Sequence, residues 1–178
     1  MNIQEPFSSV PASIDEALDE ANYIRSCILS EAYCPHSPTP QHGRWSLEDN
    51  LYHLHLVERG AASAIRRMIE GHKQERFADE AVARTWKQMK HAILNRSTTM
   101  HAPESVAPRN TPPSSACISL LGESRERLLV HCSRTTTEDL LRTSFPHPVF
   151  GQLPGLLWIT FIALHEARHL EQIRELYT

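Results

Sequence analysis

The segment His165-Glu166-Ala167-Arg168-His169 places two imidazoles four residues apart. On an α-helix that spacing puts them about 40° apart around the axis and one turn apart along it. Their ring nitrogens can converge on a single cation, as a zinc ion requires at roughly 2.0–2.1 Å per ligand. The same five letters spell H-E-x-x-H, the zincin peptidase signature, in which the intervening glutamate is the general base. A zincin takes its third ligand from downstream. Only nine residues follow His169, and Glu171 and Glu175 sit too close on the same helix to fold back. The third ligand is therefore expected from upstream.

The neighbours of the pair favour a metal over a purely structural role. A helix starting near Pro154 aligns Trp158, Phe161, Ile162, His165, His169, Gln172 and Leu176 on one face. Imidazoles within an apolar stripe need partners for their polar nitrogens. A shared ion satisfies both rings at once.

The rest of the chain must supply the frame. Its 178 residues suffice for one domain with a full core, expected over residues 1–178 with a tail at 1–12. Four long helical patterns are separated by proline-rich connections. Ser13-Ile-Asp-Glu16 has the form of a capping box, followed by a stripe of Ile14, Ala17, Leu18, Ala21, Ile24 and Ile28. Residues 35–43 read as a loop. A second helix starts at Ser46, with Asp49 at the N3 position, and runs along Leu47, Leu51, Leu54, Ala61, Ile65 and Met68 to Gly71. A third carries Phe77, Ala81, Val82, Trp86, Met89 and Ile93. A fourth is expected from Thr111-Pro112 as N-cap and first helical residue, along Cys117, Leu120, Leu121, Leu128 and His131. Residues 135–155 read as irregular, with one turn around Glu138 to Leu141. No segment alternates as a strand should. An all-α, antiparallel four-helix bundle follows, with irregular loops covering one end.

Composition narrows the function classes. The net charge of −3 and the lack of a basic stripe give no footprint for nucleic acid. The opening residues lack the features of a signal peptide, and no apolar run approaches a membrane span. The four cysteines form no C-x-x-C pair, so reduced thiols in the cytoplasm are expected.

The second helix offers two candidates for the third ligand. With the stripe centred on Leu47 and Ile65, His55 lies about 80° to one side and His53 about 120° to the other. Periodicity does not choose between them. Glu58 falls near the middle of the apolar stripe, where a carboxylate needs a cation or a hydrogen bond. Asp49, one turn before His53, is placed to orient that imidazole.

These residues together resemble the DinB/YfiT-like superfamily of metal-binding helical bundles. The resemblance rests on Trp45-Ser46 at a helix start, a histidine eight residues after the tryptophan, and a late H-x-x-x-H followed by Gln172. Phe145-Pro-His-Pro-Val-Phe-Gly151 and Ala107-Pro-Arg also match one branch. The resemblance implies a metal site of His53, His165 and His169, and so selects His53 over His55. Zn²⁺ or Ni²⁺ suits such a set. It also implies a homodimeric protein acting on a small molecule, as a metal-dependent hydrolase or as a transferase using a low-molecular-weight thiol. A metal-binding stress protein without turnover is the alternative. Three histidines leave positions open on the ion, the layout of a catalytic site. Glu58 and Glu166 are the candidate general bases. Asp49, Gln172 and His147 are expected to orient ligands or cover the ion, with His147 as lid or fourth ligand.

Overall fold

The computed structural model describes residues 8–34, 43–97 and 101–177. Most of the loop expected at 35–43 and the first seven residues of the expected tail lie outside the described residues. Helix α1 spans Ile14–Ala32, α2 Leu47–Glu70, α3 Asp79–Leu94, α4 Ser114–Cys132, the short α5 Thr137–Leu140 and α6 Gly155–Arg174. Strands β1 (Ser144–His147) and β2 (Gly151–Pro154) pair antiparallel ahead of α6. Single 3-10 turns occupy Glu104–Val106 and Glu175–Tyr177.

Side-chain caps set the helix starts. The Ser46 hydroxyl accepts the Asp49 N–H while Asp49 accepts the Ser46 N–H, both at 3.1 Å, satisfying two orphan donors of α2. Ser13 accepts the Glu16 N–H, but Glu16 takes the Ala12 N–H in place of that of Ser13. The start of α4 differs from expectation. Pro113, not Thr111, holds the cap position, because the Thr111 hydroxyl donates to Asp49 at 2.7 Å and ties this connection to α2.

Contacts along the helices fix their directions. Going along α2, Glu48, His55 and Glu58 meet Cys117, Leu120 and Ser124 of α4 in the same order, so these helices are parallel. Arg25 and Glu31 of α1 meet Glu166 and Arg174 in order, so α1 and α6 are parallel too. Asn50 and His53 of α2 meet His169 and His165 in reverse order. The four long helices α1, α2, α4 and α6 thus form an up-down-down-up bundle. Helix α3, in the α2–α4 crossover, lies against α6, and Arg168 donates to the Ile93 carbonyl at its end.

Sixteen of the twenty residues of α6 are buried, because α1, α2 and α3 surround it. Its all-round apolar character is thus used within one chain. Each fully enclosed Leu, Ile or Phe there contributes about 1.5–3 kcal/mol. No helix among the described residues is long and apolar enough to cross a membrane.

Residues 135–155 are more ordered than the sequence suggests. They hold α5 and the hairpin, whose register runs from Ser144 opposite Pro154 to His147 opposite Gly151. Two prolines and the lack of alternation hide it from a periodicity search; in a two-stranded ribbon both strands are edges and tolerate proline. Gly151 closes the turn at φ +67, a left-handed conformation suited to glycine. Gly155 serves packing: a Cβ there would lie 2.9 Å from a methyl of Leu140, so only glycine lets α5 sit on the start of α6.

At mid-bundle each long helix contributes one buried charge. Glu58 of α2 accepts from Arg25 of α1 at 2.9 Å and from Arg125 of α4 at 2.5 Å. Glu166 of α6 accepts from Arg125 at 2.9 Å and from Arg25. Ser124 also donates to Glu58, and Arg125 donates to Asn22, each at 2.6 Å. Removing one partner strands an opposite charge in the core, which costs about 3–5 kcal/mol. Glu58→Ala should lose that much stability in urea unfolding. Glu70→Ala, which breaks the exposed Arg66–Glu70 pair, should lose under about 0.5 kcal/mol. Equal losses would contradict the role given to the cluster.

Candidate metal centre

Helices α2 and α6 bring three imidazoles together. The Nε2 atoms of His53 and His165 are 3.3 Å apart, and one donor atom from each of His53, His165 and His169 lies within 4.8 Å of the others. Two nitrogens each roughly 2.0–2.1 Å from a tetrahedral ion stand about 3.3–3.4 Å apart. The observed spacing therefore fits a shared ion.

The far side of two rings is fixed. His53 donates through Nδ1 to the Val106 carbonyl at 2.7 Å, and His169 through Nδ1 to Asn50 Oδ1 at 2.9 Å. With the proton on Nδ1, each ring presents a lone pair at Nε2, the form a metal ligand needs. Asn50 is held in turn by donating its amide to the Ser46 carbonyl at 2.8 Å. Trp45 stacks on His169, nearly parallel at 5.9 Å, and tilts onto His53 at 4.7 Å. Burial holds His53 below the usual histidine range despite its bond to Val106. It holds His165 and His169 well below, with neighbouring positive groups adding to the effect. All three are neutral at pH 7, so this donor set fits a divalent ion with affinity for imidazole.

His55 faces elsewhere. Its Nδ1 pairs with the Leu120 carbonyl at 2.9 Å and its ring stacks on Tyr52. The base role expected of Glu58 or Glu166 has no support in this arrangement. Both belong to the buried charge cluster, and neither lines the cavity beside the histidines. Burial raises the Glu58 pKa, but Arg25, Arg125 and Ser124 more than offset it and hold the group below the usual range. Glu166 moves the other way, since burial and the adjacent Glu58 outweigh the two guanidiniums. About 100° around the helix from His165, it points into the bundle. Asp49 is also reassigned: Ser46 and Thr111 occupy it, and the acceptor for His53 is Val106.

The triad opens onto a cavity of about 790 Å³. Gly60, Ala61 and Ala64 of α2 make room for it with small side chains, and Gln172, one turn beyond His169, forms part of the wall. His147 also lines it, from the hairpin, with its ring against Phe150, Trp158 and Phe161. Its Nδ1 accepts the N–H groups of Val149 and Phe150 at 3.2 and 3.3 Å. A neutral ring so held carries its proton on Nε2 and has no second lone pair for an ion. The fourth-ligand role expected of His147 therefore gives way to that of a fixed N–H donor.

Sequence reasoning missed Asn50, Val106 and the packing role of Trp45. A polar residue one turn before a ligand, on the buried face, was a usable signal for Asn50. A backbone carbonyl such as that of Val106 leaves none.

Bundle and triad together define a class of helical protein with a three-histidine centre between two antiparallel helices. The sequence profile of the DinB superfamily matches residues 29–173, and the chain belongs to that superfamily. The chain is 28% identical over 138 residues to "Uncharacterized protein YuaE" of Bacillus subtilis (strain 168), covering 77% of this chain and 80% of that protein. A solved structure, "Crystal structure of TT2238, a four-helix bundle protein", superimposes with a TM-score of 0.54 at 21% identity. It covers 90% of this chain and 96% of its own, a likeness of fold.

Burial lowers the His147 pKa from 6.5 to about 4. Between those values the unfolded chain binds a proton that the folded one refuses, so stability falls as pH drops through this window. His147→Gln should flatten that decline in chemical unfolding followed from pH 6.5 to 4. An unchanged slope would show that this ring is not held neutral.

Proposed function

We propose that the chain is a divalent-metal-dependent enzyme. His53, His165 and His169 hold the ion, and the reaction is attack of water or a low-molecular-weight thiol on a small electrophile. The observation that carries this reading is the pair of Nδ1 bonds, to Val106 and Asn50, which aim Nε2 lone pairs at one point beside an open cavity. When bound, Zn²⁺ or Ni²⁺ supplies Lewis acidity and eases deprotonation of a coordinating water or thiol. The chain's own contributions are positional. Three neutral imidazoles leave the ion's charge undiminished, His147 offers an N–H donor, and the aromatic hairpin gives the cavity an apolar wall.

The cavity also bears on the nucleophile. Among its described lining residues Glu175 is the single carboxylate, and Arg44 and Arg96 engage it. A thiol, with an ordinary pKa near ~8.5, needs less help from a base than water does, so the transferase form is favoured over the hydrolase. The same scarcity of carboxylates supports a second reading, a metal-binding protein without turnover. A zincin-type peptidase needs Glu166 beside the ion, and its ion pairs with Arg25 and Arg125 speak against that. The cysteine pattern supports a cytoplasmic setting, and membership of the superfamily supports a homodimer.

Metal analysis of protein purified without chelator should find one divalent ion per chain. His53→Ala should abolish binding and His55→Ala should retain it; the reverse would reassign the third ligand. Turnover of an activated aryl halide with glutathione, bacillithiol or mycothiol, run beside ester and amide panels, separates transferase from hydrolase. Tight metal with no turnover on any of them would favour the binding protein.

A further inference from the structure

The cavity is chemically polarised along α6, and we infer from this that its ligand is an elongated molecule with an apolar end and an anionic end. The inference rests on the metal-site reading for where the reacting bond lies, between those two ends.

Trp158, Phe161, His165, His169 and Gln172 follow one another along the cavity side of α6, and Glu175 comes next on the 3-10 turn that continues it. At the early end the hairpin closes over the helix. The rings of Phe145 and Phe150 meet those of Trp158 and Phe161, with centroids 6.3 and 6.4 Å apart, and the imidazole of His147 fills the space between. The described wall residues at this end offer contact area and no charge; Arg67, which does not line the cavity, lies over the Phe145 ring at 5.6 Å. At the late end three separate segments converge. Arg44, ahead of α2, and Arg96, after α3, share the carboxylate of Glu175 at 3.0 and 2.6 Å. Arg168 lines the same end. Arg168 donates there to the Ile93 and Asn95 carbonyls, so Arg44 and Arg96 are the guanidiniums placed for a ligand, with Glu175 the one carboxylate among the described wall residues.

The Arg44–Glu175–Arg96 cluster differs from the mid-bundle one in its exposure. Its side chains are 55%, 38% and 31% exposed, where ion pairs contribute little and are readily exchanged. A ligand carboxylate can take the place of Glu175 between two preformed guanidinium partners, at which bidentate geometry is available. From Phe161 to Gln172 the helix rises roughly 16 Å. The triad lies between, so a ligand anchored at both ends carries its central bonds past the histidines.

The test uses 8-phenyloctanoate and its neutral amide, 8-phenyloctanamide, titrated against full-length protein and followed by tryptophan fluorescence, with and without Zn²⁺. In metal-free protein the carboxylate should bind about tenfold tighter than the amide. The Arg44→Gln/Arg96→Gln double variant should reduce that ratio to about threefold or less while leaving amide affinity in place, which also reports that the fold is intact. Glu175→Gln should widen the ratio, and Phe150→Ala should weaken both probes alike. Equal affinity for the two probes, or a ratio untouched by the arginine variant, would overturn the inference. A ratio seen only with Zn²⁺ present would assign the preference to the ion, overturning this inference and sparing the metal site. A ratio kept in protein that binds no Zn²⁺ would do the reverse.

Discussion

Four buried charges at mid-bundle set the geometry on which the remaining structure depends. Two guanidiniums and two carboxylates balance only when Arg25, Glu58, Arg125 and Glu166 all reach the same point. Desolvating such groups is expensive, so any rotation or slip that separates them is penalised far more than a shift of apolar side chains. The cluster therefore acts on the register of all four long helices at once. Glu166 directly follows His165, and Glu58 lies five residues after His53. Fixing the carboxylates thus fixes the rotation of α2 and α6, and with it the direction of the faces on which the histidines stand. The letters of H-E-x-x-H divide between two tasks, the histidines serving the cavity and the glutamate the frame.

Orientation of the rings is a second, finer layer. Helix register places three imidazoles near each other, but register alone leaves each ring free to present either nitrogen. The Val106 carbonyl and the Asn50 amide oxygen remove that choice for His53 and His169. Val106 sits on the 3-10 turn preceding Ala107-Pro-Arg, and Asn50 is locked to the capped start of α2. Helix capping, a connecting turn and ligand tautomer are in this way one linked arrangement. On the opposite side of the cavity the hairpin does the same for His147, with its own backbone N–H groups choosing the tautomer. Lone pairs face the histidine focus, and His147, on the cavity wall, keeps its proton on Nε2.

Much of this was legible in the sequence, and the parts that were not share a cause. Helical periodicity located the four long helices and serine caps the starts of α1 and α2, because apolar stripes several turns long and an S-x-x-D/E start are local signals. The spacing of His165 and His169 was sufficient to flag a site. His53 could not be separated from His55 by angle, since both flank the same stripe; family resemblance favoured His53, and it is His53 that stands with the other two. The sequence marks Glu58 as a carboxylate that wants a cation, a hydrogen bond or a water-filled pocket, and in the fold it meets two guanidiniums. Its partners lie 33 and 67 residues away in the chain, beyond any local pattern. The same holds for Asp49, whose partner Thr111 belongs to a different connection. The hairpin was missed because prolines and a short, half-exposed ribbon carry no period-two signal.

The proposed function requires one divalent ion shared by the Nε2 atoms of His53, His165 and His169. Crystals of protein purified without chelator, with diffraction recorded above and below the zinc and nickel absorption edges, test it most directly. The account predicts a single anomalous peak roughly 2.0–2.1 Å from each of the three nitrogens, with the rings still bonded to Val106 and Asn50. A map with no peak there, and the ring of His53 turned away from the other two, would contradict it.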